Sequence, residues 1–337
     1  MSKRQDPKPT GFELRSVINQ FLDEYRGTSE KTLDYYRDHL GNFLAYLAAE
    51  APEVIELAQV GPIHVRAWLN HELGRTYLRG SHIHQIQPAT VEGRRQALNR
   101  LFAWCIEQET FGVERNPVQK VRPPRLPKRV IVGFDKTEVR ALLIESRKFP
   151  GSRSSEPALE WLGKRNFAIL TLLLDTGARA SELLGLTLDD IDWPRGRMLL
   201  HGKGAKDRRV PFHNRASTAL KDYLHMRPEV PFDHLWVTLR HTPMKANKAG
   251  LSNLAALLKA LGRYSEVTDV HAHRFRHTYA SRWWMAQDNP NIYVLMNLLG
   301  HVKIETTMRY LRGLGIEYGT ERGEFASVMD HKDFNLL

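Results

Sequence analysis

Near its C-terminal end the chain reads Leu299-Gly300-His301-Val302-Lys303-Ile304-Glu305-Thr306-Thr307-Met308-Arg309-Tyr310, and this run closes on a tyrosine. Three shorter motifs precede it: Thr176-Gly177-Ala178-Arg179-Ala180-Ser181-Glu182-Leu183, Gly202-Lys203-Gly204 and His273-Arg274-Phe275-Arg276. Among other side chains, the four motifs supply Arg179, Lys203, His273, Arg276, His301 and Tyr310 within a short part of the chain. Such a set suits a phosphodiester, because cations bind the phosphate, histidine and lysine transfer protons, and the tyrosine provides an oxygen nucleophile.

The composition indicates a folded protein with an anionic partner. The chain has 337 residues, a hydrophobic content of 42% and a formal net charge of +11. A balance this basic favours nucleic acid or an anionic membrane surface as the partner. No uninterrupted apolar run approaches the roughly 20 residues that a membrane-spanning helix needs, and the polar residues 1–7 carry no apolar signal core.

Cys105 is the one cysteine, so no disulfide can form within the chain, which fits a reducing cytosol. Its neighbours Leu101, Phe102, Trp104 and Ile106 are apolar, so we interpret it as a core residue rather than as a nucleophile. These features predict a cytoplasmic protein.

Residues 1–10 are expected to be a disordered lead-in, and residues 11–112 to form a helical domain. Helical periodicity of apolar residues predicts helices over about 12–25, from Thr28-Ser29 to about 49, from Gly61-Pro62 onward, and over about 88–108. The region 75–87 is rich in Arg, Gly and His without a clear period, and we interpret it as a loop. Arg94 and Arg95 lie on the polar face of the fourth helix. They form either an ordinary solvated surface or a surface that contacts DNA phosphates.

Residues 113–133 are expected to be an extended interdomain linker. Four prolines deny this segment a helix, and it carries six basic residues against a single acid. Arg122, Arg125, Lys128 and Arg129 are its candidate DNA-binding residues. Their charge would let the linker lie along a phosphate backbone while two domains clamp a duplex.

Residues 134–337 are expected to form a second domain of helices with a small antiparallel β-sheet. Asp135-Lys136-Thr137-Glu138 is typical of a helix start, and a strongly apolar helix follows and breaks at Thr176-Gly177. Three short strand-like runs come next, joined by 193–196 and by 202–207. The glycines in the second of these turns place Lys203, and Lys206 as a further candidate DNA contact, on an outward hairpin.

Each motif also has a plain structural interpretation when taken alone. Arg179 and Glu182 are three residues apart and could be a surface ion pair, or a phosphate-binding arginine held by a carboxylate. His273 and His277 have the spacing of metal ligands, but no third ligand is evident, so we predict no metal. Gly202-Lys203-Gly204 lacks the glycine spacing and the following Ser or Thr of a P-loop, so we predict no nucleotide cofactor.

The ordered motifs resemble those of the tyrosine recombinases, also called the phage integrase family. The likeness rests on Thr-Gly-x-Arg-x-Ser-Glu-Leu from Thr176, Gly-Lys-Gly-x-Lys-x-Arg-x-Val-Pro from Gly202, His-x-x-Arg-His-Thr from His273 and Leu-Leu-Gly-His-x-x-x-x-Thr-Thr-x-x-Tyr from Leu298. Each piece is weak alone, whereas four in order are specific. The helical first domain also resembles that family's core-binding domain. The implied architecture is a C-shaped DNA clamp, with a helical SAM-like core-binding domain and an α+β catalytic domain.

The resemblance implies a role for each motif residue. Tyr310 would attack the scissile phosphate to form a 3′-phosphotyrosine, and Arg179 and Arg276 would hold the nonbridging oxygens. Lys203 would protonate the leaving 5′-oxygen, His273 would assist proton transfer at the tyrosine, and His301 would hydrogen-bond the phosphate. Glu182 would support the site. The resemblance implies that neither ATP nor a divalent metal is required.

The resemblance also implies the partners. These are double-stranded DNA with specific recombination sites and further copies of the chain, as a dimer on one site and a tetramer in synapsis through a Holliday junction. Accessory recombination proteins are further candidates, and the tail 313–337 is the candidate contact with a neighbouring subunit. Such a protein would act in the cytoplasm, at the nucleoid.

Two other functions fit the same motifs. One is a type IB topoisomerase-like relaxing enzyme, against which the separate helical clamp and the C-terminal tail argue. The other is a DNA-binding protein that has lost turnover, against which the complete residue set argues. Unlike in the larger phage integrases, we expect no arm-site domain before the first helical domain, which puts arm-type regulation in doubt.

Overall fold

The computed structural model describes residues 11–79, 81–125, 132–148, 160–202 and 206–311. The chain divides into two compact units, Met1–Lys128 and Arg129–Leu337. Most of the described residues are helical, and each unit contains one small antiparallel sheet. The predicted fold class, helical with little antiparallel sheet, is confirmed.

The first unit consists of four helices and a two-stranded hairpin. The elements are α1 (Leu14–Glu24), α2 (Glu30–Glu50), α3 (Pro62–Gly74), β1 (Thr76–Arg79), β2 (His82–Gln85) and α4 (Pro88–Glu107). The four predicted helices are confirmed. Ser29 caps α2, because its side chain accepts from the backbone of Thr32, and Pro62 begins α3 as expected.

The interpretation of 75–87 as an irregular loop was wrong. Thr76 pairs with Gln85 and Arg79 with His82 in a regular antiparallel ladder. The alternation of β-forming residues is only four residues long in each strand, too short to stand out from a polar, Gly-containing segment.

Apolar stripes of the four helices meet in one core. Phe21, Phe43, Trp68 and Phe102 are its largest fully buried side chains. Cys105 is buried in it as predicted, and burial raises the pKa of its thiol to about 12. A short 3₁₀ turn, Pro117–Lys120, packs on the same core through Val118, so the start of the segment predicted as a linker belongs to this unit. The precise domain boundaries remain a prediction.

The second unit is built around one buried helix. Its elements are α5 (Lys136–Arg147), α6 (Glu160–Thr176), α7 (Ala180–Gly185), β3 (Ile191–Asp192), β4 (Arg197–Leu200), β5 (Arg208–Pro211), α8 (Asn214–Met226), α9 (Lys248–Tyr264), α10 (Ala272–Met285), α11 (Ile292–Leu299) and α12 (Ile304–Leu311). Helix α6 is buried on nearly every side, as expected for a helix that is apolar all round. Strands β3, β4 and β5 form the predicted antiparallel sheet in chain order.

Local signals in the second unit behave as the sequence predicts. Asp135 and Glu138 exchange hydrogen bonds with each other's backbone amides at the start of α5, a complete capping box. Helix α6 ends where the chain reaches Gly177 in the left-handed conformation, with φ of 59°. Residues 312–337, which include the predicted subunit-contact tail, lie outside the described residues.

Candidate active site

A buried carboxylate organises the first part of the site. Glu182, on α7, accepts from Arg179 Nη1 at 2.6 Å and from the Arg179 backbone amide at 2.7 Å. Arg208, at the start of β5, donates to both Glu182 oxygens at 2.7 and 2.8 Å. Burial by itself would raise the pKa of Glu182, but hydrogen bonds and charge from Arg208 and Arg179 outweigh it and hold that pKa at about 2. Glu182 is therefore ionised at neutral pH and fixes both guanidinium groups.

Two glycines supply backbone carbonyls to the site arginines. Gly300 ends α11 in the left-handed conformation, and its carbonyl accepts from Arg179 Nη2 at 3.0 Å. The carbonyl of Gly177 accepts from Arg276 Nη1 at 2.7 Å. A Cβ at Gly177 would lie 2.3 Å from the Tyr279 ring, so both the positive φ and the packing require glycine there. Gly300 thus makes the turn at the end of α11.

Arg276 lies deep in the site and is only 2% exposed. Its Nη2 donates to the carbonyl of Leu299 and contacts Nε2 of His301 at 2.9 Å. Burial, followed by the charge of Arg179, lowers the pKa of Arg276 to about 10, so the group stays protonated at neutral pH. The described pocket thus holds three guanidinium groups, those of Arg179, Arg208 and Arg276, around the single carboxylate of Glu182.

His301 is a neutral imidazole with both ring nitrogens engaged. Because arginine has no acceptor, Nε2 must accept from Arg276, which places the ring proton on Nδ1, 2.9 Å from Thr307 Oγ1. Burial and the charges of Arg276, Arg179 and Arg208 lower the pKa of His301 to about 3. In this arrangement His301 orients Arg276 and has no proton left for a phosphate oxygen, which differs from its expected role.

Tyr310 projects from α12 into a group of histidines. Its hydroxyl lies 3.5 Å from each ring nitrogen of His273, the outer limit of a hydrogen bond. His277 stacks on the tyrosine ring with centroids 4.0 Å apart, and the His301 ring lies 5.2 Å away. Burial, followed by the charge of Arg276, lowers the pKa of His273, so this imidazole is a free base able to take a proton at neutral pH. Tyr310 and His273 therefore form a candidate nucleophile and base.

Thr306 and Thr307 lie inside α12, which begins at Ile304. The chain turns at Gly300, shortly before this helix begins. Its first turn therefore falls on 304–307, which aims Thr307 at His301.

The structure brings together Arg179, Glu182, His273, Arg276, His301 and Tyr310, which sequence reasoning placed in one site. Lys203 lies outside the described residues. Three members of the cluster were missed: Arg208, His277 and Thr307. Each lies within one of the four motifs, but the motif does not indicate which groups its side chain contacts.

The candidate DNA contacts fall into different environments. Arg94 pairs with Glu72 and is largely buried, and Arg95 donates twice to Glu92 at 2.8 Å. Arg122, Arg125 and Lys206 are exposed, whereas Lys128 and Arg129 lie outside the described residues. A DNA-contact role for these residues remains a prediction.

Within the described ranges, no three metal-binding side chains cluster closely enough to hold an ion. His273 and His277 instead contact each other edge to face, with ring centroids 4.9 Å apart. The same ranges contain no helix that is long and apolar enough to cross a membrane.

Comparison with known proteins matches both units of the chain. Residues 135–314 match the Phage integrase family, and residues 18–109 match the Phage integrase, N-terminal SAM-like domain. The chain belongs to the phage integrase family. It is a tyrosine recombinase, and the resemblance carried by its four motifs is confirmed.

Curated relatives of this recombinase span nearly its whole length. Tyrosine recombinase XerC of Bacillus subtilis (strain 168) is 27% identical over 298 residues, 86% of this chain and 88% of the relative. Tyrosine recombinase XerC of Staphylococcus carnosus (strain TM300) is 29% identical and covers 88% of this chain and 92% of its own. Tyrosine recombinase XerD of Shewanella oneidensis is 25% identical, with coverage of 89% and 92%.

Solved structures share the fold of this recombinase. The XerH site-specific recombinase bound to its palindromic difH substrate superposes with a TM-score of 0.65 at 18% identity, covering 88% of this chain and 80% of that one. A lambda integrase dimer bound to a core site gives a TM-score of 0.63 at 18% identity, covering 92% and 99%. At such identities the likeness shows the fold alone.

Proposed function

We propose that this recombinase cleaves and rejoins specific DNA sites through a 3′-phosphotyrosine on Tyr310. The observation that carries the proposal is the position of the Tyr310 hydroxyl, 3.5 Å from the neutral His273 ring, in a site with three guanidinium groups, two of which pair with Glu182. Excess positive charge in a largely buried pocket suits a phosphodiester anion, and the tyrosine is the oxygen nucleophile in that pocket.

In the cleavage step, the Tyr310 oxygen attacks phosphorus and the bond from phosphorus to the 5′-oxygen breaks. His273 accepts the phenol proton, and Lys203 donates a proton to the leaving 5′-oxygen. The products are a 3′-phosphotyrosine and a free 5′-hydroxyl, so the energy of the phosphodiester is retained. The hydroxyl of a partner strand then reverses the same steps, which requires neither ATP nor a metal.

Arg179 and Arg276 would bind the phosphate in different ways. Arg179 is the accessible one, because its side chain is 40% exposed while Glu182 and Gly300 fix two of its donors. Arg276 is buried and contributes its positive charge to the site. To donate a hydrogen bond to a nonbridging oxygen, it would have to give up its present contact with the carbonyl of Gly177 or of Leu299. His301 keeps the Arg276 fork in place.

Structures of similar proteins support a proposal for the DNA partner and the assembly. XerH and lambda integrase were solved on DNA, the latter as a dimer on a core site. For this chain we propose the same class of partner, with dimers on each site and a tetramer in synapsis. The proposed location is the cytoplasm, where the DNA is.

Covalent trapping tests the proposal. The protein and its Tyr310→Phe variant are incubated with a nicked random-sequence duplex library in EDTA, and SDS-resistant adducts are isolated and sequenced. We expect an adduct with the wild type only, enriched for one sequence, while Tyr310→Phe still retards DNA in a gel. An adduct that forms equally with Tyr310→Phe would overturn the assignment of the nucleophile.

A further inference from the structure

His277 lies against both members of the nucleophile and base pair. Its ring is stacked on Tyr310 at a centroid distance of 4.0 Å and an interplanar angle of 25°. The same ring meets His273 edge to face, at 4.9 Å and 83°. His277 is 3% exposed and projects from α10, the helix that also carries His273 and Arg276. One rigid side chain therefore touches the two groups between which the proton moves.

The chemistry of His277 shows that it does not act as an acid here. Burial lowers its pKa to about 4, and the neighbouring His273, His271 and Arg276 push in the same direction. Its Nδ1 is buried without a hydrogen-bond partner among the described residues. An unpaired buried polar atom is destabilising, so stability alone would favour an apolar ring of the same shape. The feature that remains is the flat ring against the phenol.

We propose that His277 is a positioning residue that holds the Tyr310 ring so that its hydroxyl stays facing His273. This inference rests on the proposed function, in which Tyr310 is the nucleophile. A tyrosine ring is free to swing about its first side-chain torsion unless its faces are packed. The stack on His277 covers one face, and a displacement of about 1 Å at a reacting group is enough to slow a reaction about 10²-fold.

The test compares two substitutions at this position. His277→Ala removes the ring, and His277→Phe keeps a flat ring without nitrogen. Each is assayed for single-turnover cleavage of a nicked duplex that carries the site recovered by trapping. We expect His277→Ala to cleave about 10- to 100-fold more slowly with DNA affinity within about twofold, and His277→Phe to restore most of the lost rate.

A control separates positioning from general loss of stability. Leu258, on α9, is 1% exposed in the core of the same unit. Leu258→Ala should lower the melting temperature while leaving the cleavage rate of the folded protein within about threefold, because Leu258 belongs to an apolar core cluster that includes none of the site residues. A drop in cleavage with Leu258→Ala equal to that with His277→Ala would show that the effect is structural and would overturn the proposal.

A substrate with sulfur in place of the bridging 5′-oxygen shows whether His277 affects the nucleophile or the leaving group. A thiolate leaves without a proton, so this substrate bypasses the acid but still needs a well-placed nucleophile. We expect the His277→Ala defect to persist on it. Full recovery would mean that His277 serves the leaving group, and a His277→Phe rate as low as that of Ala would mean that a ring nitrogen is required. Either result overturns the positioning role.

The same assay keeps the two proposals apart. If Tyr310→Phe still forms the adduct, the proposed function has failed, and the positioning role fails with it. If the adduct requires Tyr310 but His277→Ala cleaves within about threefold of the wild type, only the positioning role has failed.

Discussion

Each unit of the molecule contains one deeply buried glutamate held by two arginines. In the first unit Glu72, 1% exposed, pairs with Arg75 at 3.1 Å and with Arg94. In the second unit Glu182, 4% exposed, pairs with Arg179 and Arg208 at 2.6 and 2.7 Å. The two clusters use the same residue types and similar burial.

The two clusters differ in what surrounds their arginines. Arg94, on α4, is 12% exposed, and its ion pair with Glu72, on α3, joins two helices inside the first unit. Arg179 is 40% exposed and also donates to the Gly300 carbonyl beside the pocket. Arg75 is as exposed as Arg179, so exposure does not separate the clusters. A buried carboxylate can brace two helices or hold a cation beside reactive groups, and the surroundings of its arginines decide which.

The largest expected effect follows from breaking the second cluster. Glu182→Gln removes the negative charge that holds Arg179 and Arg208. The amide N–H of the glutamine would also face the N–H groups of an arginine, where the glutamate oxygen now accepts a hydrogen bond. We expect cleavage to fall about 10²-fold or more, because the phosphate-facing arginine is no longer preorganised. Single-turnover adduct formation at saturating protein measures this loss, and an unchanged rate would contradict the presenting role of Glu182.

The matching change in the first unit should affect stability and leave the chemistry unchanged. Glu72→Gln leaves the buried Arg94 without a full counter-charge, at a cost of about 1–3 kcal/mol in the free energy of unfolding. We expect a lower urea midpoint and an unchanged cleavage rate for the folded, DNA-bound protein. A cleavage defect comparable to that of Glu182→Gln would remove the distinction between the two clusters.

Acid should weaken the second unit, and His301 is one cause. Its folded pKa is about 3 against an ordinary 6.5, so between these values the unfolded chain binds more protons. The free energy of unfolding therefore falls as the pH drops below 6.5. His273 and His277 act in the same sense, whereas Asp207 and Asp190 raise the pKa of His201, which acts in the opposite sense from a largely exposed position.

We expect the free energy of unfolding to fall less between pH 7 and pH 5 in His301→Gln than in the wild type. Urea titrations at both pH values measure this difference. In the first unit burial lowers the pKa of His39, which acts in the same sense. Equal pH slopes for the wild type and His301→Gln would show that His301 does not carry the effect.

The smallest effect concerns single phosphate contacts. Arg122 is exposed in the first unit, whereas Arg94 is paired inside it. We expect Arg122→Gln to reduce the log–log slope of DNA affinity against salt by about 0.9, and Arg94→Gln to leave the slope unchanged while lowering stability. Filter binding over a range of salt concentrations distinguishes the two variants, and a slope that changes with Arg94→Gln alone would reverse this assignment.

Much of the fold could be predicted because its signals are local. The start of α2 at Ser29, the first turn of α3 at Pro62 and the capping box at Asp135 each depend on a few adjacent residues. The hairpin at 76–85 was missed, because two four-residue strands of mixed polarity give no clear period.

The sequence by itself determined the chemistry available to this protein, because the motifs contain the reactive residue types and their order and spacing identify the family. It named the tyrosine, two arginines, two histidines and the carboxylate of the site before any contact was known. Only the tertiary structure decided how they work together. Arg208 reaches Glu182 from 26 residues away, Arg276 reaches the Leu299 carbonyl across 23, and His277 meets Tyr310 face to face. Such contacts depend on how helices pack, and packing is a property of the folded chain that no local pattern encodes.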